Sequence, residues 1–253
     1  MTPFTSKRLP ARQNMPYDTA VWRRDWPRLI DNVIAACAAS GTRLVFFDNV
    51  YALAASSYPG MRENAPVDPP SAKGAVRADV LARLWRAHED GAVEVSVARA
   101  ADFYGPGIGN SVLLELVVKR LAAGKAAQWL GDPDSVHSFT YTPDAGRHLA
   151  LLGNDARAFG ESWHLPTAPD PWTPREWVER AAALLGVAPK LQVLPRWLWR
   201  GLAVFNRDLR ELYDVRQQVA GPYVFDSGKF ERAFGVRATG YEEGLTAVVE
   251  GLR

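Results

Sequence analysis

Leu44-Val45-Phe46-Phe47-Asp48-Asn49-Val50-Tyr51 is the stretch on which the fold turns. Its four apolar residues form an unbroken run rather than an alternation, which suits a strand buried on both faces of a parallel sheet. Polar side chains begin where the run ends, at Asp48, Asn49 and Tyr51. The carboxyl edge of a parallel sheet is where open α/β folds bind ligands. Upstream, Trp22, Trp26, Leu29, Ile30, Val33, Ile34 and Cys37 recur at helical spacing, so an amphipathic helix is expected over 22–39, stopped by Ser40-Gly41. Downstream, a Pro-rich loop leads to a helix over 71–88 with Val76, Val80, Leu81, Leu84 and Trp85 on one face. A second strand, Val93 to Ala98, ends at Arg99 and the loop Asp102 to Gly107, and a further helix follows over 112–123. Strands alternating with helices mark βαβ units with right-handed crossovers, hence an α/β protein.

The remainder is less regular. Short strand-like segments fall around Trp129, Phe139 to Tyr141, and Trp163 to Leu165, with a helix over 143–152 for which Asp144 reads as a cap. Thr173-Pro174-Arg175-Glu176 is a capping box with proline at the first helical position. A last amphipathic helix starts near Glu243. The expected organisation is an irregular arm over 1–17, an α/β domain over 18–160, and a mainly helix-rich region over 161–253.

Composition narrows the function classes. Thirty Lys+Arg against 28 Asp+Glu, interspersed along 253 residues, leave no electrostatic footprint for nucleic acid or an anionic membrane. One cysteine excludes an intramolecular disulfide and a thiolate zinc site, and the four histidines lack metal-ligand spacing, so no metal is expected. Apolar runs are too short to span a bilayer, and the polar segment from Met1 to Met15 has no signal-peptide centre; a cytoplasmic location is the default expectation. Ser56-Ser57 lacks the elbow of a serine hydrolase.

Taken in order, Asn32 to Cys37, Phe47 to Tyr51, Arg99-Ala100-Ala101-Asp102-Phe103-Tyr104-Gly105-Pro106-Gly107 and Phe139 to Ala145 resemble the NAD-dependent epimerase/dehydratase family, the extended short-chain dehydrogenase/reductases. The resemblance runs from about Trp22 to the C-terminus. It implies a doubly wound parallel sheet with a small C-terminal substrate region, and NAD or NADP as cofactor. It also implies hydride transfer at an alcohol or ketone of a sugar nucleotide or another small hydroxy/keto metabolite. Arg99, Ala100 and Phe103 would pass the cofactor, while Tyr51, Tyr104, Asn110 and Ser111 would line the substrate.

The chain departs from that family at two places. The family's opening Gly-x-x-Gly-x-x-Gly turn, which holds the pyrophosphate at a helix N-terminus, has no counterpart, so the sheet is expected to be N-terminally incomplete. The family's Tyr-x-x-x-Lys helix here reads Lys73-Gly74-Ala75-Val76-Arg77. Lys73 is then expected as an altered acid/base, with Arg77 orienting cofactor or substrate and Asp48 and Asn49 holding the reacting hydroxyl. The plainer readings are a solvated basic face for Lys73 and Arg77, turn residues for Asp48 and Asn49, packing for Phe103 and Tyr104, and a helix cap for Asn110 and Ser111. A non-catalytic Rossmann-like binding or regulatory protein is the alternative. Uncovered sheet should in either case recruit a homodimer or another partner.

Overall fold

A computed structural model describes residues 15–109 and 111–252. Most of the arm expected over 1–17, and Asn110, lie outside them. Helix α1 (Thr19–Ser40) begins where the Asp18 carboxylate accepts from the Val21 amide and ends at Gly41, whose left-handed φ of 62° closes the last turn. Strand β1 (Leu44–Asp48) follows, then α2 (Ala72–Glu89), capped by the Ser71 hydroxyl, and β2 (Val95–Arg99). The chain continues through β3 (Asp102–Tyr104), a π-type wide turn over Leu114–Val118 leading into α3 (Lys119–Ala122), β4 (Ala127–Leu130) and β5 (Phe139–Tyr141). Helix α4 (Thr142–Asn154) and β6 (Ser162–His164) follow, and β6 supplies the third strand of the main sheet.

Strands β1, β2 and β6 form one parallel sheet in that order, with Asp48 opposite Arg99 and Arg99 opposite His164. Successive side chains along a strand point to opposite faces. Phe46, Val95 and Val97 therefore meet Ile30 of α1 and Val80 and Leu84 of α2 on one face. Ala98, Trp163 and Leu165 meet Ala145 and Leu152 of α4 on the other. Helices on both faces of a parallel sheet make the expected Rossmann-like α/β layering. Strand β2 is buried throughout, whereas β1 is an outer strand and its Phe47 is 40% exposed. The apolar run of β1 thus signalled a parallel sheet correctly but overstated its burial, because among the described residues no strand pairs with its other edge.

The C-terminal elements are α5 (Pro174–Leu185), β7 (Leu191–Leu194), α6 (Arg196–Phe205), α7 (Arg207–Asp214), α8 (Gly228–Phe234) and α9 (Tyr241–Glu250). Strand β7 pairs with β4, and β3 with β5, as two parallel two-stranded sheets. Phe139, Trp129, Trp177 and Leu245 share a core there, which accounts for part of the tryptophan load. Phe230 of α8 packs on Trp163, so this helix covers the main sheet instead. Asp144 does not cap α4 as expected. It lies buried in the first turn and accepts from the amide and hydroxyl of Thr239, pinning the segment before α9.

The capping box of α5 is formed in both directions, with Thr173 Oγ1 accepting from the Glu176 amide and the Glu176 carboxylate accepting from the Thr173 amide. Thr173→Ala removes the first bond and is expected to cost about 1 kcal/mol. Urea denaturation should show it as a lower midpoint at unchanged slope. An unshifted midpoint would mean that tertiary packing alone holds this end of α5.

Candidate active site

The last residues of three adjacent strands, Asp48, Arg99 and His164, stand in one row at the carboxyl edge of the main sheet, and all three are buried. Arg77 reaches this row from α2. Its Nε donates to Asp48 Oδ1 at 2.8 Å, its Nη2 makes a second bond to the same oxygen, and its guanidinium lies over the rings of Trp26 and Phe46. Arg99 Nε stands 3.9 Å from Asp48 Oδ2. One carboxylate therefore faces two guanidiniums away from water. His164 Nδ1 donates to the Asp226 carbonyl at 3.0 Å while its ring stacks on Phe225. Burial, with the positive charges of Arg99 and Lys229 nearby, pulls its pKa from 6.5 to about 3.

Lys73 occupies the first turn of α2, and its side chain is fully buried. Its ammonium donates to Thr19 Oγ1 at 2.9 Å, to the Glu211 carbonyl at 3.1 Å, and to the Glu211 carboxylate. Burial raises the Glu211 pKa, but hydrogen bonds from Lys73 and Thr19 outweigh it and hold the group below the usual carboxylate range. Asp214 accepts from the amides of Ala72 and Lys73, where the N-terminus of α2 favours a negative charge. Helix α7 thus closes over Lys73. The solvated-face reading of Lys73 and Arg77 does not hold, since both are buried and ion-paired.

Two phenols stand beside this lysine. The Tyr17 ring lies 4.4 Å from Lys73 Nζ, and its hydroxyl is 3.2 Å from that of Tyr51. Asn49 Oδ1 accepts from the Tyr51 amide at 3.0 Å, an Asx turn that sets the tyrosine at the end of β1. Burial is the main cause that raises the Tyr51 phenol above 10, with the Asp102 charge adding to it, and Tyr17, itself 39% exposed, is raised by desolvation and by the neighbouring Tyr51 hydroxyl. Tyr58 is pushed up to about 12 by burial and the same carboxylate. All three stay protonated at neutral pH and can donate. Asp102 itself accepts from His137 Nε2 at 2.9 Å, and His137 stacks on Tyr223 at 4.2 Å between ring centroids.

Next to the phenols, a groove of about 1340 Å³ runs along the outer edge of β1, lined by Tyr17, Trp22, Trp26, Phe47, Phe103 and Leu149 among others. Its volume exceeds the roughly 300–1,000 Å³ of common ligand pockets. Aromatic walls of this kind fit a flat ring such as a nicotinamide. Asp25 is the one charged residue among the described lining, so a pyrophosphate finds no cradle in it.

Of the expected site residues, Asp48, Asn49, Tyr51, Lys73, Arg77, Arg99 and Phe103 gather at the carboxyl edge. Within that group, Arg77 bonds Asp48, Arg99 stands in ion-pair range of the same carboxylate without a hydrogen bond to it, and the Ala100 amide donates to the Asp48 carbonyl. Tyr104 is not brought there: it is buried against Tyr141, Trp177 and Tyr241. Ser111 is buried too, with its hydroxyl donating to the Phe103 carbonyl and accepting from the Leu114 amide, so the cap reading applies. The sequence reading passed over Tyr17, Asp102, His137, Glu211 and Asp214 as site residues. Asp102 stood inside a quoted motif, but the contact between Glu211 and Lys73 joins residues too far apart for any local pattern.

Among the described residues no group of three His, Cys, Asp or Glu side chains could hold a metal, and no described helix is long and apolar enough to cross a membrane. Together the sheet, its covering helices and the edge site define a Rossmann-like α/β protein. Its fold is that of the NAD-dependent sugar-nucleotide epimerases and dehydratases. The dTDP-glucose 4,6-dehydratase of Streptomyces venezuelae, solved with NAD, superposes at a TM-score of 0.72 and 20% identity over 97% of this chain and 71% of that one. The UDP-glucose 4-epimerase of Thermus thermophilus, also solved with NAD, gives 0.70 and 20% over 95% and 76%. UDP-N-acetylglucosamine 4-epimerase of Bacillus cereus gives 0.72 and 14% over 96% and 76%. No family model and no curated protein sequence matches the chain.

Proposed function

We propose that the chain is an NAD(P)-dependent enzyme of the epimerase/dehydratase type, acting by hydride transfer on a sugar nucleotide or a small hydroxy/keto metabolite. The observation that carries this reading is the aromatic groove opening beside protonated phenols at the carboxyl edge of a parallel sheet. Trp22, Trp26, Phe47 and Phe103 would hold the nicotinamide half of the cofactor, which supplies or takes up the hydride when bound. Tyr17 and Tyr51 would move the proton at the substrate oxygen, with Asn49 setting the Tyr51 backbone. Lys73 would act on them through its charge at the Tyr17 ring, and would act directly only after α7 lifts. Arg77, Asp48 and Arg99 would keep the strand ends in register rather than touch substrate. In this reading 18–160 carries the cofactor side and 161–253 mainly the substrate side, with β6 returned to the main sheet. A homodimer or another partner on the open sheet edge is the competing occupant of this groove, and a monomer in sedimentation equilibrium would count against it.

Titration with NADH and with NADPH tests the reading. The tryptophans of the groove should quench in a saturable way in the micromolar range, with energy transfer to the nicotinamide. Trp26→Leu should remove most of the quenching. A chain that binds neither nucleotide would leave the non-catalytic alternative in its place.

A further inference from the structure

Charges balance over the whole chain, but not along every stretch of it. From Lys190 to Asn206 there are three basic residues and no acidic one, and α6 lies within that stretch. Trp199 and Ala203 of α6 turn inward and are buried, with Trp199 Nε1 donating to the Leu209 carbonyl of α7 at 3.1 Å and its ring edge-on to Tyr213. Trp197, Gly201, Val204 and Phe205, at i, i+4, i+7 and i+8, fall on the opposite side. There Trp197 is 75% exposed, Val204 66% and Phe205 91%. The side turned to water is thus an apolar one, the reverse of the usual surface helix. Arg200, three residues after Trp197 and four before Val204, is exposed beside them. These side chains project outward from the helix, so a protein partner would need a fitted recess for each, whereas lipid closes around them without one. A second copy of the chain would bring one basic stretch against another, while an anionic lipid surface attracts it. Tryptophan is also the side chain most favoured between headgroups and acyl chains.

We propose that Trp197, Val204 and Phe205, with Arg200 beside them, form a docking face for an anionic lipid surface, on which α6 lies flat with its rings between headgroups and acyl chains. Only Asn206 separates α6 from α7, and Trp199 packs the two together, so the docked face carries with it the helix whose Glu211 covers Lys73. Such docking is independent of hydride transfer at the strand edge.

Flotation of the full-length chain with lipid vesicles tests the face. Binding to phosphatidylcholine vesicles that contain about one-third phosphatidylglycerol should be roughly tenfold tighter than to pure phosphatidylcholine, and half-molar salt should remove most of the difference. The double variant Trp197→Ser, Phe205→Ser should bind the mixed vesicles about tenfold more weakly or worse. Its urea midpoint should stay at the parent value, because both rings are exposed in the free chain. Arg200→Gln should lose about fivefold on the mixed vesicles and nothing on pure phosphatidylcholine. Parent binding to neither vesicle, equal binding to both, or parent-like binding by the double variant would each overturn the proposal. Self-association of the parent in sedimentation equilibrium that the double variant abolishes would give the face to a second copy of the chain, and would overturn it as well.

Discussion

Asp48→Ala should unfold or nearly unfold the chain, with a loss of about 3–5 kcal/mol, because it strands Arg77 and Arg99 in the interior without a counter-charge. Both guanidiniums are about 3% exposed, and Asp48 is the carboxylate each of them faces in the ion-pair geometry. Arg77→Met should cost less. It removes one cation, but Arg99 already stands 3.9 Å from the other Asp48 oxygen and can take over the pairing. Methionine also keeps a flexible apolar stem against Trp26 and Phe46, where the guanidinium lay. The ranking of Asp48→Ala well below Arg77→Met in urea midpoint is therefore the expected result. Equal losses would mean that the two arginines do not share the carboxylate, and a loss under 1 kcal/mol for Asp48→Ala would mean that water reaches the row.

Acid should weaken the fold through His164. Its folded pKa, about 3, lies below the unfolded value near 6.5, so the unfolded chain binds a proton in that window which the native chain refuses. Stability from this group is complete above pH 6.5 and falls as the pH drops toward 3. At 1.36 kcal/mol per unit the loss is about 3 kcal/mol by pH 4.5. His148, whose pKa is lowered by burial, acts in the same direction. Urea midpoints taken from pH 7.5 to 4.5 should show the slope in the parent chain. His164→Gln cannot titrate, so it should be less stable at pH 7.5 for want of the stack on Phe225, yet flatter with pH. A parallel slope in the variant would assign acid lability to the carboxylates instead.

Much of the fold was legible because it rests on local patterns. The spacing from Trp22 to Cys37, the stop at Gly41, the unbroken run at 44–47 and the capping box at Thr173 each match an element or cap of the structure. The site was legible only as an address. The carboxyl edge of β1 could be located from Asp48 to Tyr51, and the helix carrying Lys73 and Arg77 could be aligned with it, but not the state of their charges. Tyr104 and Ser111 show the limit from the other side: they follow closely on the strand edge in sequence, yet Tyr104, the last residue of β3, enters the aromatic core and Ser111 lies at a helix start.

By itself the sequence determined the layering of helices on a parallel sheet, the strand end that carries Asp48, Asn49 and Tyr51, and the lack of thiol pairs and of histidines at metal-ligand spacing. Helical and strand periodicities, caps and turn residues act over a few neighbours, so they survive reading along the chain. Tertiary structure alone decided that Glu211 pairs with Lys73, that Asp48 faces two arginines, and that Tyr17 lies against Lys73 Nζ. Those outcomes depend on which distant charges and rings meet out of water, where a pairing fixes whether a group can react, and no spacing along the chain encodes that meeting.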